Sequence, residues 1–410
     1  MDPGVTVVTE PGTAVVALGF VLGGVMLGTL SGLIPGLHAN NFALLLAAAV
    51  PVVPGPPRFV GAAMLAAGVT HTFLDVVPAL ALGVPDAAMA ATALPGHRLV
   101  LQGRGREALR LSALGSGLAI ALAVPLAVPV TAVMERVYPA LEPHLPLVLG
   151  TVAALLVVGE SDWRARVGAA LAVGASGLLG LATLDLETGG LAAGGTLAPL
   201  FAGLFGAPVL VEALSGDGVP PQADAAVTVG RRAVAGTALL GTLSGAVVGY
   251  ISGVSSGVAA TGALAVMPRG GPRAYVVVTS GVNTANTVFA LFALVALRDA
   301  HTGVLVALDG AGVPLNLPLL LAACALAAVA GFLLVTWAGD RYLAAANRVD
   351  QTYISVGVLA LLCVLVAALA GLVGVGIFAV STLIGLVPAR FGARRVTLMG
   401  VLLVPLAVAL

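Results

Sequence analysis

His71 and Asp75 stand four residues apart in GVTHTFLDVVPALALGVPD (68–86), on one face of any helix they share. An imidazole and a carboxylate at that spacing can carry a proton or help to hold a small cation. A second run, TSGVNTANTVF (279–289), offers Asn283, Thr284 and Asn286 among other neutral oxygens that could meet Na+ or a carboxylate. Both runs are otherwise apolar, and polar groups at membrane depth are costly unless they serve a pathway. His71, Asp75 and Thr284 are therefore the candidates for ion coupling. The plain alternative is polar pairing that fixes helix packing.

Two chain breaks carry the other candidates. In GTLSGLIPGLHANNF, Pro35-Gly36 interrupts an apolar run and is followed by His38, Asn40 and Asn41. A half-helix starting near Ala39 would present free backbone N–H groups and the positive end of its dipole, which suits an anion. Gly36 permits close approach of backbone to a ligand, and the two Asn side chains can add donors. GYISGVSSGVAATG (249–262) is the matching break, with Ser255 and Ser256 in the analogous place. Helix capping and interhelical hydrogen bonding are the competing roles. The candidate substrate-binding set is Gly36, His38, Asn40, Asn41, Ser255, Ser256, Asn283 and Asn286.

The elements that position these groups follow from composition. The chain of 410 residues is 60% hydrophobic and 9% charged, with a mean hydropathy of +1.12. Apolar stretches near 20 residues recur throughout, each able to cross about 30 Å of hydrocarbon, so the fold class is an all-α polytopic membrane protein. A net charge of zero and the lack of a basic arm argue against nucleic-acid binding. Cys324 and Cys363 lie in apolar runs without metal-ligand spacing, and no CxxC, HExxH or phosphate-loop motif occurs. No catalytic set and no metal site is expected; the one cofactor-like requirement is Na+ as a possible coupling ion. The acidic N-terminus lacks the basic flank of a signal peptide, so the first apolar segment is expected to stay as a span.

Taken as one crossing each, the apolar runs number fourteen. Those at 38–53, 253–267 and 372–388 are short or interrupted enough to be broken or re-entrant helices, tolerated where protein or a cavity buries them. With the N-terminus outside, fifteen arginines fall in cytoplasmic loops and three (Arg58, Arg136 and Arg298) outside. That bias predicts a multi-pass plasma-membrane protein with both termini outside. The arginines of 95–110 read as a positive-inside loop or as a vestibule for an anionic solute.

GTLSG occurs at 28–32 and again at 241–245, and Gly68-Val69 matches Gly281-Val282 at the same offset of 213. An odd number of crossings separates the two units, so the second would be inverted. The expected organisation is a first repeat over 1–215, a central cytoplasmic loop over 216–232 and a second, inverted repeat over 233–410. Inverted-topology repeats with paired broken helices are the architecture of many secondary transporters.

The same residues resemble a known family. GTLSGLIPGLHANNFALLLAAAVPVVP is similar to the glycine-rich signature of the large membrane subunit of tripartite tricarboxylate transporters. ALGVPDAAMAATALPGHRLVLQGRGREALRLSALGSG (81–117) resembles that family's second signature, and LFAGLFGAPVLVEALSG (200–216) and TSGVNTANTVF resemble later segments. The chain looks like a short, divergent member, with His38 where the family usually has Gly. The resemblance implies a permease for an anionic solute driven by an ion gradient. It also implies a small membrane subunit and an external solute-binding protein as partners.

The leading expectation is a secondary-active permease for a small organic anion such as a carboxylate, coupled to Na+ or H+, in contact with membrane lipids and open to homodimer formation. A translocase of an anionic lipid carrier such as polyprenyl phosphate is the alternative within transport. An intramembrane lipid enzyme using His71 and Asp75 as acid and base is the alternative from another class.

Overall fold

The computed structural model describes residues 10–35, 37, 39–83, 93–190, 195–214, 219–224, 226–251, 253–267, 271–300 and 302–409, with backbone alone at 40, 41, 44, 45, 48, 93, 94, 351 and 409. All regular elements among them are helical. The first part of the chain holds α1 (Pro11–Leu33), α2 (Ala39–Ala49), α3 (Pro57–Leu74) and its continuation α4 (Val76–Leu82). Then come α5 (Ala93–Leu101), α6 (Gly105–Leu141), α7 (Leu145–Val158), α8 (Trp163–Thr183), α9 (Leu197–Phe201) and α10 (Ala207–Ala213). The later part holds α11 (Arg231–Tyr250), α12 (Ser256–Ala265), α13 (Gly271–Leu297), α14 (Gly303–Gly310), α15 (Leu317–Ala346), α16 (Gln351–Gly385), α17 (Val387–Phe391) and α18 (Gly400–Ala409).

Eight helical stretches among the described residues are long and apolar enough to cross a membrane. The chain is a polytopic helical membrane protein. The fourteen expected runs are fewer because several join or fall short. The run at 111–130 is part of α6, which continues through Pro125, Pro129 and Pro139. Runs 353–371 and 372–388 form α16, whose helical backbone is interrupted at Gly371 (φ 61°, ψ −160°). Runs 38–53 and 253–267 yield only the short helices α2 and α12.

Glycines set the geometry around those short helices. Gly24, Gly28 and Gly32 of α1 lie against Ala63, Ala67 and His71 of α3, where an added Cβ would strike the α3 backbone or side chains. The contacts advance together along both helices, so α1 and α3 run parallel. The chain between them must return the length of the pair, and α2 is the helical part of that return. Gly241, Gly245 and Gly249 of α11 lie in the same way against Val278, Val282 and Phe289 of α13. Again the pair is parallel, and α12 is the return. Small residues of this kind let membrane helices approach closely enough for dispersion to hold them.

The packing also corrects the sequence register. Gly32 meets His71 and Asp75, and Gly245 meets Val282 and Asn286. His71 therefore corresponds to Val282 and Asp75 to Asn286, so matching Gly68-Val69 with Gly281-Val282 is two residues out of step.

The core centres on α3–α4 and α13, buried almost throughout. The start of α6 is a polar clamp. Glu107, fully buried, accepts from Arg104 Nε (2.6 Å), Arg273 Nε (2.9 Å) and Nη2 (3.0 Å), and Thr228 N (3.1 Å) and Oγ1 (2.9 Å). Gln222 Oε1 accepts from Gly105 N at 2.7 Å. Part of the central loop is thus held against α6 and α13.

Candidate functional site

Each break begins where a long helix can no longer continue. After α1 the backbone turns extended at Ile34 (φ −82°, ψ 113°) before Pro35, which has no N–H to give. α2 then starts at Ala39. After α11 the backbone turns extended at Ile251, and Gly253 takes φ +85°. Ser255 caps α12, its Oγ accepting from Val258 N at 3.3 Å.

The starts of both short helices reach one cavity of about 140 Å³. Ala39 borders it from α2, and Gly253 to Ser256 from the second break. Gly68 and Thr72 of α3, Asn283, Asn286 and Thr287 of α13, and Thr302 complete its polar wall, with Phe201, Met399 and Leu402 among the apolar groups. No Arg or His is among the described residues of this lining. The groups that can meet a ligand are backbone N–H groups at helix starts, hydroxyls and amides.

Hydrogen bonds preset several of these. Asn286 Nδ2 donates to Ser256 Oγ at 2.6 Å, which leaves the Ser256 hydroxyl hydrogen available for another acceptor. Thr287 Oγ1 donates to Asn286 Oδ1 at 3.4 Å. Asn283 Nδ2 donates to Asp75 Oδ2 at 2.7 Å, both side chains buried. Thr302 Oγ1 is sealed from solvent and has no hydrogen-bond partner among the described residues.

His71 is fully buried, 5.5 Å from the Phe42 ring of α2 in a stacked arrangement. Its Nδ1 lies 2.9 Å from Ser31 Oγ. Ser31 donates its hydroxyl hydrogen to Gly28 O (3.1 Å), so it accepts from Nδ1–H and fixes that tautomer. His71 thus ties α1, α2 and α3 together beside the cavity rather than on its described wall.

The sequence candidates sort as follows. Ser255, Ser256, Asn283 and Asn286 come together on one wall, and Asp75 stands behind Asn283. Thr284 points elsewhere: its Oγ1 donates to Ser116 Oγ at 2.8 Å, in a polar seam with Ser112 and Ser280 between α6 and α13. Gly36 and His38 lie outside the described residues. Asn40 and Asn41 fall in the first turn of α2, their side chains outside the description. The basic run 95–110 is a helical corner, not an open loop. Arg104 pairs with Glu107, Arg106 with Asp224 and Asp340, and Arg110 with Asp224, so those charges are engaged with acids. Sequence reasoning missed Thr72, Thr302 and Ser31. Ser31 carried a signal, since the repeated GTLSG contains it.

Parallel long helices, each pair enclosing a short return helix, around a polar cavity lined by both returns define the class of a multi-pass membrane protein with an internal polar cavity. A family model described as the tripartite tricarboxylate transporter TctA family matches residues 18–400, and the chain belongs to that family. Among curated proteins, an uncharacterized protein of Methanocaldococcus jannaschii is 29% identical over 200 residues. The match covers 48% of this chain and 48% of the relative, about half of each. No solved structure matches the chain.

Proposed function

We propose that the cavity between the starts of α2 and α12 is the substrate site of a secondary-active permease for a small organic anion, a carboxylate, coupled to Na+ or H+. The observation that carries this is the convergence of two independent helix starts on one cavity. Each start supplies oriented N–H groups and a positive dipole end. Together with Ser256, Asn286 and Thr302 they form an anion site with no Arg or His among its described lining residues. Gly36, His38, Asn40 and Asn41 belong to it as the first break, and His71, Asp75 and Thr284 are the coupling candidates. The two triplets, α1–α3 and α11–α13, are inverted copies of one another, with both termini outside. An external solute-binding protein and a small membrane subunit are the partners that the family's tripartite description suggests. A polyprenyl-phosphate carrier gains nothing from a family described by a soluble tricarboxylate.

Counterflow of labelled citrate and tartrate into proteoliposomes tests this. Uptake should require the protein and fall about 10-fold or more in Asn286→Ala, the effect of one lost hydrogen bond to a charged ligand. Uptake of either anion that is unchanged by Asn286→Ala and Ser256→Ala would place the site elsewhere.

A further inference from the structure

Asn283 joins the carboxylate of Asp75 to the proposed anion cavity. Its Nδ2 faces Asp75 Oδ2 at 2.7 Å, while the residue also forms part of the cavity wall. Its Oδ1 accepts no hydrogen bond among the described residues. An ionised carboxylate can only accept, so it draws the N–H side of the amide and leaves the acceptor oxygen for the cavity. That oxygen is the wrong group to offer an anionic ligand. A protonated carboxyl gains a donor: its O–H can donate to Asn283 Oδ1 once the amide makes a half-turn about χ2. Such sp³–sp² torsions are soft. The amide N–H then faces the cavity as a donor.

We propose that Asp75 and Asn283 form a proton-operated polarity switch, in which protonation of Asp75 turns Asn283 from acceptor to donor at the anion cavity. The proton comes from water reaching the cavity and resides on the Asp75 carboxyl; no covalent bond of the amide changes. One proton is thereby bound with one anion and released with it. The proposal rests on the anion site proposed above and assigns its coupling ion as H+.

Among the described residues, several of the elements packed around Asp75 carry ionisable groups. His71 lies one turn earlier on α3, which also carries Arg58 at its start, while α1, α2 and α4 carry no ionisable side chain. Among the other helices packed on α3 and α4, α13 carries Arg273 and Tyr275 near its start, and Arg273 is engaged with Glu107. α6 carries Arg106, Glu107 and Arg110 at its start and Glu135, Arg136 and Tyr138 near its end. α14 carries Asp309, α5 carries His97 and Arg98, and α15 carries Cys324, Asp340, Arg341 and Tyr342. His38 lies outside the described residues. His71 is therefore the group that must be separated from Asp75 by experiment.

The test is calorimetric titration of the full chain in nanodiscs with tartrate and citrate, at about pH 6 and about pH 8. Tartrate is fully ionised across that range, so its own titration does not contribute. Wild-type affinity should rise as pH falls. Asp75→Asn, a near-isosteric change that accepts Asn283 in either orientation, should bind with the same affinity at both pH values. At about pH 8 it should bind about 10- to 150-fold tighter than wild type, the span expected for a hydrogen bond to a charged ligand. Asn283→Ala should also lose the pH dependence, and His71→Asn should keep it. A pH dependence that survives in Asp75→Asn, or that disappears in His71→Asn alone, overturns the switch while leaving the anion site standing. Equal affinity of wild type and Asp75→Asn at both pH values does the same. Absence of tartrate and citrate binding in every folded variant overturns the anion site and the switch together.

Discussion

Thr302 opens α14 with a hydroxyl that is sealed from solvent, lacks a partner among the described residues and borders the cavity. An unsatisfied buried hydroxyl costs about 1–3 kcal/mol, a cost that a bound carboxylate would offset. Thr302→Val keeps the shape and removes the hydroxyl. The variant should melt at the same or a higher temperature than wild type without ligand, yet gain less from added citrate. Equal ligand-induced shifts in both proteins would remove Thr302 from the site. His97 makes a separate residue-scale point. Its Nδ1 lies 2.7 Å from Leu80 O and ties α5 to the end of α4, and burial, opposed by this hydrogen bond, holds its pKa below the usual value of 6.5. The unfolded chain therefore gains a proton as pH falls below about 6.5, while the folded chain does not. Stability contributed by His97 is complete above about 6.5 and declines as pH falls toward the lowered value. His97→Asn should flatten that part of the melting-temperature profile; an unchanged slope would exclude His97 as its source.

At the scale of elements, the breaks were legible because Pro35-Gly36 and the Gly253–Ser256 segment combine helix breakers with polar groups inside apolar runs. The register of α3 against α13 was not, because a Gly-Val match carries no information about which residues face α1 and α11. Contacts of Gly32 and Gly245 supplied it. Likewise α6 runs on through three prolines, since neighbouring helices re-satisfy freed backbone groups in a membrane. The Asp75–Asn283 contact joins residues 208 apart in sequence, which no local pattern can pair. The glycine rows give a direct prediction. Gly28→Ala would press a Cβ into the Ala67 carbonyl, whereas Gly19→Ala meets nothing within 4 Å. Gly28→Ala should lose about 1–3 kcal/mol, as overpacking does, read as a lower melting temperature, and Gly19→Ala should be neutral. Equal behaviour of the two would contradict the close packing of α1 on α3.

At the scale of the whole molecule, two triplets with the same glycine packing surround one cavity, and the proposed inversion makes a topological claim. Arg58 lies exposed near the start of α3, and Arg231 is exposed at the start of α11. In a background lacking Cys324 and Cys363, cysteines placed at these two positions should label from opposite sides of the membrane. Labelling from one side would end the inverted relation. The central claim is that the starts of α2 and α12 hold a carboxylate between them. The most direct measurement is anomalous scattering from crystals grown with bromosuccinate. A bromine peak in the cavity between Ala39 and Ser256, within reach of Asn286, is the predicted result. A peak at another site, with this cavity empty in a protein shown by calorimetry to bind the compound, would contradict it.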